Sequence, residues 1–434
     1  LRQYGPVPIV PDKPFDADTP SEEASVERNT YDECVDYICN DMEKASEFLQ
    51  ETRTQQFQNI PTKGAALAIR AKLWVYAASP LLNGSYKEAV ELRDNEGKQL
   101  FPEYDASKWQ KALEALQDFI NYSEGRYELY KVYSKDGRYN PDASLYELFQ
   151  KYNNEIIWAT TKDSWGSVDN EGFQRRSTPR GVRGSQGMSA QGVTQELVDA
   201  FFMRDGLSIK ESPIYSETGF STVTHNVIQL ADTVEVTDTI FNMYLNREPR
   251  FYQTVMYAGR RWHVGGEQVF FHKGAKDDNS STNNCYTGYL LYKRVNRTLY
   301  SYGSYPRSWF RPGILFRLAE FYLLYAEVLN EVNPSDKRII EYVDKVRERA
   351  GIPLLKDIKP GIIGNQELQR EAIRQERRVE LCTEGQRYFD VRRWMCAEEE
   401  GYKQGGPVHG MDMNATDLEG FMKRTAFETR IFEK

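Results

Sequence analysis

The sequence predicts a mainly α fold: antiparallel helical pairs on either side of a long irregular insertion that carries short β-strands. Three observations predict it. Apolar residues recur at three- and four-residue steps over Asn29–Leu49, Lys63–Leu82 and Ser107–Ser123, and again from Gly313 onward. From Glu155 to about Pro312 that period gives way to short runs of β-branched and aromatic residues separated by polar stretches. Apolar residues make up 40% of the 434 and aromatics 13%, which supplies a sizeable core and argues against disorder.

Each element has a local reason. Leu1–Ala24 holds five prolines and reads as extended loop, more like the middle of a domain than its start. Thr30 followed by Glu33 is a capping box opening the first helix, whose stripe is Tyr31, Val35, Ile38, Met42, Ala45 and Leu49. The Lys63–Leu82 helix is apolar on most of its circumference, so it is expected to be buried among other helices, with its alanines allowing close approach. The third helix carries Trp109, Ala112, Leu113, Leu116 and Ile120. In the insertion the clearest strands are EIIWATT, FYQTVMYA, QVFFH and GYLLYKRV. Between them lie long segments rich in Gly, Ser, Asn and Arg, of the kind that carries function. Helices resume at Gly313, then Asp336–Ala350 (stopped by Gly351 and Pro353), Gln366–Thr383 (stopped by Gly385) and Gln386–Trp394. The tail from Gly401 is polar and poorly patterned. Helical pairs with small residues at their contacts resemble tetratricopeptide units, without a strict repeat period.

Charge and motifs exclude several functions. There are 56 basic and 64 acidic residues, a net of −8, which disfavours nucleic acid as a partner. No run approaches the ~18 apolar residues of a membrane-spanning helix. Five scattered cysteines form neither a disulfide framework nor a CxxC pair, and four histidines show no paired spacing, so a zinc centre is not expected. The glycine-rich GVRGSQG lacks the Lys-Ser/Thr ending of a phosphate loop, and no G-x-S-x-G elbow is present.

Several blocks, taken in order, resemble the SusD/RagB family of nutrient-binding outer-membrane lipoproteins of Bacteroidota. They are RQYGPVPIV with RNTYDECVDYICNDMEKASEFL, KGAALAIRAKLWVYAASPLLNG, NEIIWATT, VTQELVDAFFMRDG, NREPRFYQTVMYAG, GYLLYKRV, FRLAEFYLLYAEVLNEV, YVDKVRERAGIP and IRQERRVELCTEGQRYFDVRRW. The match runs collinearly from about Arg2 to Trp394. The resemblance implies one SusD-like domain over 1–434, with helical parts at 29–150 and 313–400 and a loop-and-strand insertion at 151–312. It also implies N-terminal helices and a lipid-anchored cysteine ahead of Leu1, and a further segment after the region near Phe427. The implied function is non-catalytic capture of an oligosaccharide or polysaccharide at the cell surface. The cargo is then delivered to a SusC-type TonB-dependent transporter in the outer membrane.

Sugar rings present an apolar face that aromatic side chains cover, and a hydroxyl rim that Arg, Asn or Gln reach. Aromatics in loops are therefore the candidate ligand contacts: Trp165 and Phe173 with Arg175 and Arg176, Trp262, and Tyr302, Tyr305 and Trp309. The competing readings are a staple role for Trp309, self-packing of Tyr302 and Tyr305, and a solvated pair for Arg175 and Arg176. Trp74, Trp109, Trp158 and Trp394 fall on helix stripes or a strand and read as core. Glu376, Glu380 and Glu384, spaced by four among Arg374, Arg377 and Arg378, read as an ion-pair network that Asp390, Arg392 and Arg393 extend, rather than as glycosidase carboxylates, which face each other across a cleft. Arg317 and Glu320 read as an i,i+3 pair. No cofactor is expected, although Asp277, Asp278 and Asn279 in the 276–284 segment could bind a structural calcium ion. The alternatives are a glycoside hydrolase, or a helical-repeat protein whose cargo is peptide or protein.

Overall fold

A computed structural model describes residues 1–161, 170–182, 187–229, 232–278, 284–299 and 310–432. The first helical group is α1 (Tyr31–Phe48), α2 (Lys63–Ala78), the short α3 (Lys87–Val90) and α4 (Ser107–Ser123). The expected capping box starts α1: Glu33 N–H donates to Thr30 Oγ1 at 3.2 Å, and Thr30 N–H donates to the Glu33 carboxylate at 2.8 Å. Helix α2 packs between α1 and α4, with Ala65, Ala68, Ala71, Val75 and Ala77 fully enclosed. Its Gly64 is needed for packing, since a Cβ there would sit 2.2 Å from the Tyr127 hydroxyl. The helix stops at Ala78, short of the expected Leu82. Pro80 cannot donate into a continuing helix, and Pro80–Leu82 closes as a single 3-10 turn.

The insertion holds α5 (Pro141–Glu147), β1 (Ile156–Thr160), α6 (Asn170–Ser177), α7 (Gln195–Ala200), β2 (Phe220–Gln229), β3 (Asp232–Phe241), α8 (Pro249–Thr254), β4 (Val255–Tyr257), β5 (Tyr289–Leu291) and β6 (Gly313–Arg317). After it come α9 (Leu318–Val332), α10 (Arg338–Ala350), α11 (Leu355–Ile358), α12 (Gln366–Glu380), α13 (Arg387–Arg393), β7 (Gly406–Met411), α14 (Leu418–Phe421) and β8 (Arg424–Arg430). Among the described residues the strands form four antiparallel two-stranded ribbons, β1–β6, β2–β3, β4–β5 and β7–β8.

Several expectations need correcting. The first half of FYQTVMYA is helical, because Pro249 occupies the first position of α8 and leaves only Val255–Tyr257 extended. QVFFH is no strand; Gln268 makes an isolated bridge with Arg261. Gly313–Arg317 pairs with β1 before α9 begins. The longest hairpin, β2–β3, and the β7–β8 ribbon were unexpected. Strands β3 and β8 are largely exposed, β2 alternates only between half-buried and exposed positions, and β7 opens with Gly406 and Pro407, so none carries a clear apolar alternation.

Among the described residues three hydrophobic clusters result, the smallest around Val391, Trp394, Cys396 and Ala397. Of the larger two, one joins α1, α2, α4, α9, α10 and part of α12, and includes Phe119, Phe321 and Tyr325. The other lies under the insertion around Phe201, Tyr244, Phe251, Tyr257 and Tyr289. Helix α9 is enclosed on nearly every side. Each buried Leu or Phe contributes roughly 1.5–3 kcal/mol, so packing rather than propensity holds it. Helix α10 ends where expected, at Gly351, whose φ of +76° suits a left-handed cap.

Candidate functional site

The site is built on the β1–β6 ribbon. In its register Thr160, the last residue of β1, lies opposite Gly313, the first of β6. The 162–169 segment, which contains Trp165, follows β1. The 300–309 segment, which contains Tyr302, Tyr305 and Trp309, precedes β6. Strand pairing therefore brings the stems of both segments to one end of one ribbon. Trp165, Tyr302, Tyr305 and Trp309 themselves lie outside the described residues.

Beside those stems is an aromatic pair that the sequence reading did not select. Tyr152 and Phe310 stack with ring centroids 6.1 Å apart and planes at 26°. Phe310 is 51% exposed. The Tyr152 hydroxyl donates to the Thr160 carbonyl at 3.2 Å, which ties the pair to the end of β1. Partial burial raises the Tyr152 phenol above its usual range, so it stays a neutral donor. The rule that picked Trp309, an aromatic in a segment without helical or strand pattern, applies equally to Phe310 and to Tyr152 in its KYNN turn.

Helix α6 braces this end from behind. Gln174 Nε2 donates to the Asn296 carbonyl, and Asn296 N–H donates back to Gln174 Oε1, both at 3.0 Å. Asn296 Nδ2 reaches Gln150 Oε1 at 3.0 Å. Phe173 is 6% exposed, with the guanidinium groups of Arg294 and Arg311 5.0 Å and 4.9 Å from its ring. Phe173 is thus a packing residue of the core under the insertion and not a sugar platform, a correction that follows from its burial. Arg175 and Arg176 form the last turn of α6 and are half-buried. Trp262 is also corrected: at 2% exposure, edge-on to Tyr292 and next to His263, it belongs to the core under the insertion.

A buried ion-pair cluster fixes the other end of the ribbon. Arg317, the last residue of β6, pairs with Glu155 at 2.8 Å, Glu380 at 2.6 Å and Glu384 at 2.7 Å. Arg349 joins Glu155 at 2.7 Å and also Glu380. Arg250 joins Glu248, Glu376 and Glu380, and Arg347 joins Glu376. The network reading of the three glutamates holds, but their partners come from other elements. Arg377 serves Asp390, Arg378 donates to the Glu196 and Gly401 carbonyls, and Arg374 lies over the Trp394 ring. Arg317 does not pair with Glu320, which instead holds Lys72 at 2.6 Å. Burial would raise the Glu380 carboxyl, but Arg349, Arg317 and Arg250 outweigh it and hold the group far below the ordinary range. Glu376 and Glu380 are closed off from solvent and engaged by arginines, so neither can act as a glycosidase acid or nucleophile.

Of the calcium candidates, Asp277 is buried and accepts the Gly181 N–H at 2.6 Å, and Asp278 pairs with Arg180. Asn279 lies outside the described residues. Among the described residues no group of His, Cys, Asp and Glu is arranged to hold a metal ion. A cavity of about 20 Å³ lies between Tyr146, Phe149, Arg250, Tyr292 and Glu380. It has room for about one water molecule, so no sugar enters it.

Comparison with known proteins agrees with this architecture. Residues 154–434 match the model of the SusD family, and residues 1–75 match one described as starch-binding and associating with the outer membrane. SusD-like protein P25 of Formosa agariphila is 42% identical over 81 residues, 19% of this chain. That match spans only 15% of the relative's length. The solved structure of BT4246 superposes with a TM-score of 0.81 at 26% identity, over all of this chain and 77% of the other. A SusD-like protein from Bacteroides fragilis NCTC 9343 shares the fold, with a TM-score of 0.71 at 23% identity, over all of this chain and 71% of its own.

Proposed function

This chain belongs to the SusD family, and from that premise we propose that it is a non-catalytic glycan-binding protein of the outer membrane. It holds an oligosaccharide or polysaccharide at the open end of the β1–β6 ribbon and passes it to a SusC-type TonB-dependent transporter. A lipid anchor ahead of Leu1 keeps it at the cell surface. One observation supports the site: the Thr160–Gly313 register brings the stems of the 162–169 and 300–309 segments to the ribbon end where the exposed Phe310 stacks on Tyr152. Stacking on such rings binds sugar without any carboxylate poised for hydrolysis. Trp165 and Trp309 would add to the platform, and Arg175 and Arg176 would reach hydroxyls or acidic substituents.

The test is affinity electrophoresis against a panel of immobilised polysaccharides, followed by calorimetry on the one retained. Loss of one stacking ring costs about 1.4 kcal/mol, or tenfold in Kd. Phe310→Ala and Trp165→Ala should each weaken retention to that degree. Unchanged retention in Phe310→Ala, Trp165→Ala and Trp309→Ala together would remove the site. New reducing ends after incubation with the bound polysaccharide would replace the binding reading with the hydrolase one.

A further inference from the structure

We propose that a cleft between the first turn of α1 and the 99–103 segment binds one hexose-sized ring that carries a free ammonium, an amino sugar. The cleft shares no residue with the β1–β6 ribbon, and the proposal does not rest on the site placed there.

The cleft holds about 260 Å³ and is lined by Thr30, Asp32, Gln99, Phe101, Pro102 and Glu103. Local bonding builds it. Tyr31 N–H donates to the Leu100 carbonyl at 2.8 Å, which pins the 99–103 segment to the start of α1. Phe101 stacks on the buried Tyr31, with ring centroids 5.8 Å apart and planes at 14°. Gln99 Nε2 donates to the Phe101 carbonyl at 2.8 Å and closes the segment on itself. Small-molecule sites begin at about 300 Å³, so a cleft of this size takes one ring and not a chain.

The lining says what the ring must carry. Phe101 and Pro102 supply an apolar wall. Apart from the Thr30 hydroxyl, the polar atoms left without a partner among the described residues are acceptors. They are Gln99 Oε1, the second Asp32 oxygen and the Glu103 carboxylate, which meets only the Gln99 amide at 3.5 Å. Lys108 neutralises Asp32 at 2.6 Å, and Lys98 neutralises the neighbouring Glu33 at 2.8 Å. Glu103 is exposed and has no ion pair among the described residues. No lining residue is a cation. One negative charge is therefore left over beside an aromatic ring. An ammonium answers both features: it brings three donors and a positive charge, and aromatic faces attract it. An acidic sugar would be repelled, and a neutral one would gain only hydroxyl contacts.

Calorimetry with glucosamine, glucose and N-acetylglucosamine at low ionic strength tests this. Glucosamine should saturate and bind about tenfold more tightly than the other two. Glu103→Gln, a change at an exposed position, should bring glucosamine down to the level of glucose. Phe101→Leu keeps the apolar volume and should weaken glucosamine about fivefold. Phe310→Ala should leave glucosamine binding unchanged. The proposal is overturned if glucosamine does not bind, if it binds no better than glucose, or if Glu103→Gln or Phe101→Leu retains wild-type affinity. Loss of glucosamine binding in Phe310→Ala would move the amine to the ribbon and also overturn it. Polysaccharide retention that disappears in Phe310→Ala while glucosamine still binds keeps the two sites separate and supports both.

Discussion

Replacing Glu380 by glutamine removes one buried charge and keeps the shape of the side chain. Among the described residues, Arg250, Arg317, Arg347, Arg349 and Lys293 face Glu155, Glu248, Glu376, Glu380 and Glu384, five cations against five carboxylates. Glu380 touches three of those cations. A glutamine keeps one oxygen acceptor, but its amide nitrogen turns donors toward guanidinium donors. The cluster is then left with one uncompensated positive charge out of water. Removing one partner of a buried pair costs about 3–5 kcal/mol, and the retained oxygen places Glu380→Gln near the lower end. Urea unfolding at neutral pH, read as midpoint and slope, measures it. The loss also has a pH signature. The carboxyl is depressed in the folded state, so its contribution is present above the unfolded value near 4.5 and fades as pH falls below it. The gap between wild type and variant should therefore narrow in acid. A variant within about 0.5 kcal/mol of wild type at neutral pH, or a gap that widens in acid, would refute the account.

Burial pushes the Asp277 carboxyl up to about 6, even though the backbone N–H groups of Gly181 and Phe270 favour its charged form. A carboxyl raised on folding contributes stability below its unfolded value near 3.8, and that contribution is lost as pH rises through about 6. Asp277→Asn should thus be more stable than wild type at pH 7.5 by about 1–3 kcal/mol and match it near pH 4, checked by urea midpoints at both pH values. Thr30→Ala removes the acceptor for Glu33 N–H and should cost about 1 kcal/mol, with faster hydrogen exchange confined to the first turn of α1.

Which parts of this were legible follows from the range of the forces involved. The Thr30–Glu33 cap and the stop at Gly351 are written in neighbouring residues, and both stand where the sequence places them. The β2–β3 hairpin was invisible because Thr222, Thr224, Thr237 and Thr239 pair their hydroxyls across an exposed face. The opposite face is partly buried but interrupts Val223, Val227 and Ile240 with polar Ser221, His225 and Asp238, which breaks the alternation by which strands are recognised. Trp262 and Phe173 looked like loop aromatics because the segments around them lack periodicity. Irregular backbone can still be enclosed, and Arg294 and Arg311 close over Phe173 from residues more than a hundred positions away. Phe310 and Tyr152 are adjacent only because β1 and β6 pair across some 150 residues, a juxtaposition no window of sequence contains.

The sequence alone determined the helices α1, α2, α4, α9, α10, α12 and α13, the cap at Thr30 and the stop at Gly351, but not the short helices of the insertion; it also carried the family resemblance and the choice of loop-borne aromatics as the place to look for a ligand. Those are local properties of hydrophobic period and chain chemistry. The tertiary structure alone decided which arginine answers each glutamate, which rings are swallowed and which stay open, and that two distant segments share one end of a ribbon. A charge or a ring acquires its partner only when the chain closes on itself, and both burial and strand register are set by that closure.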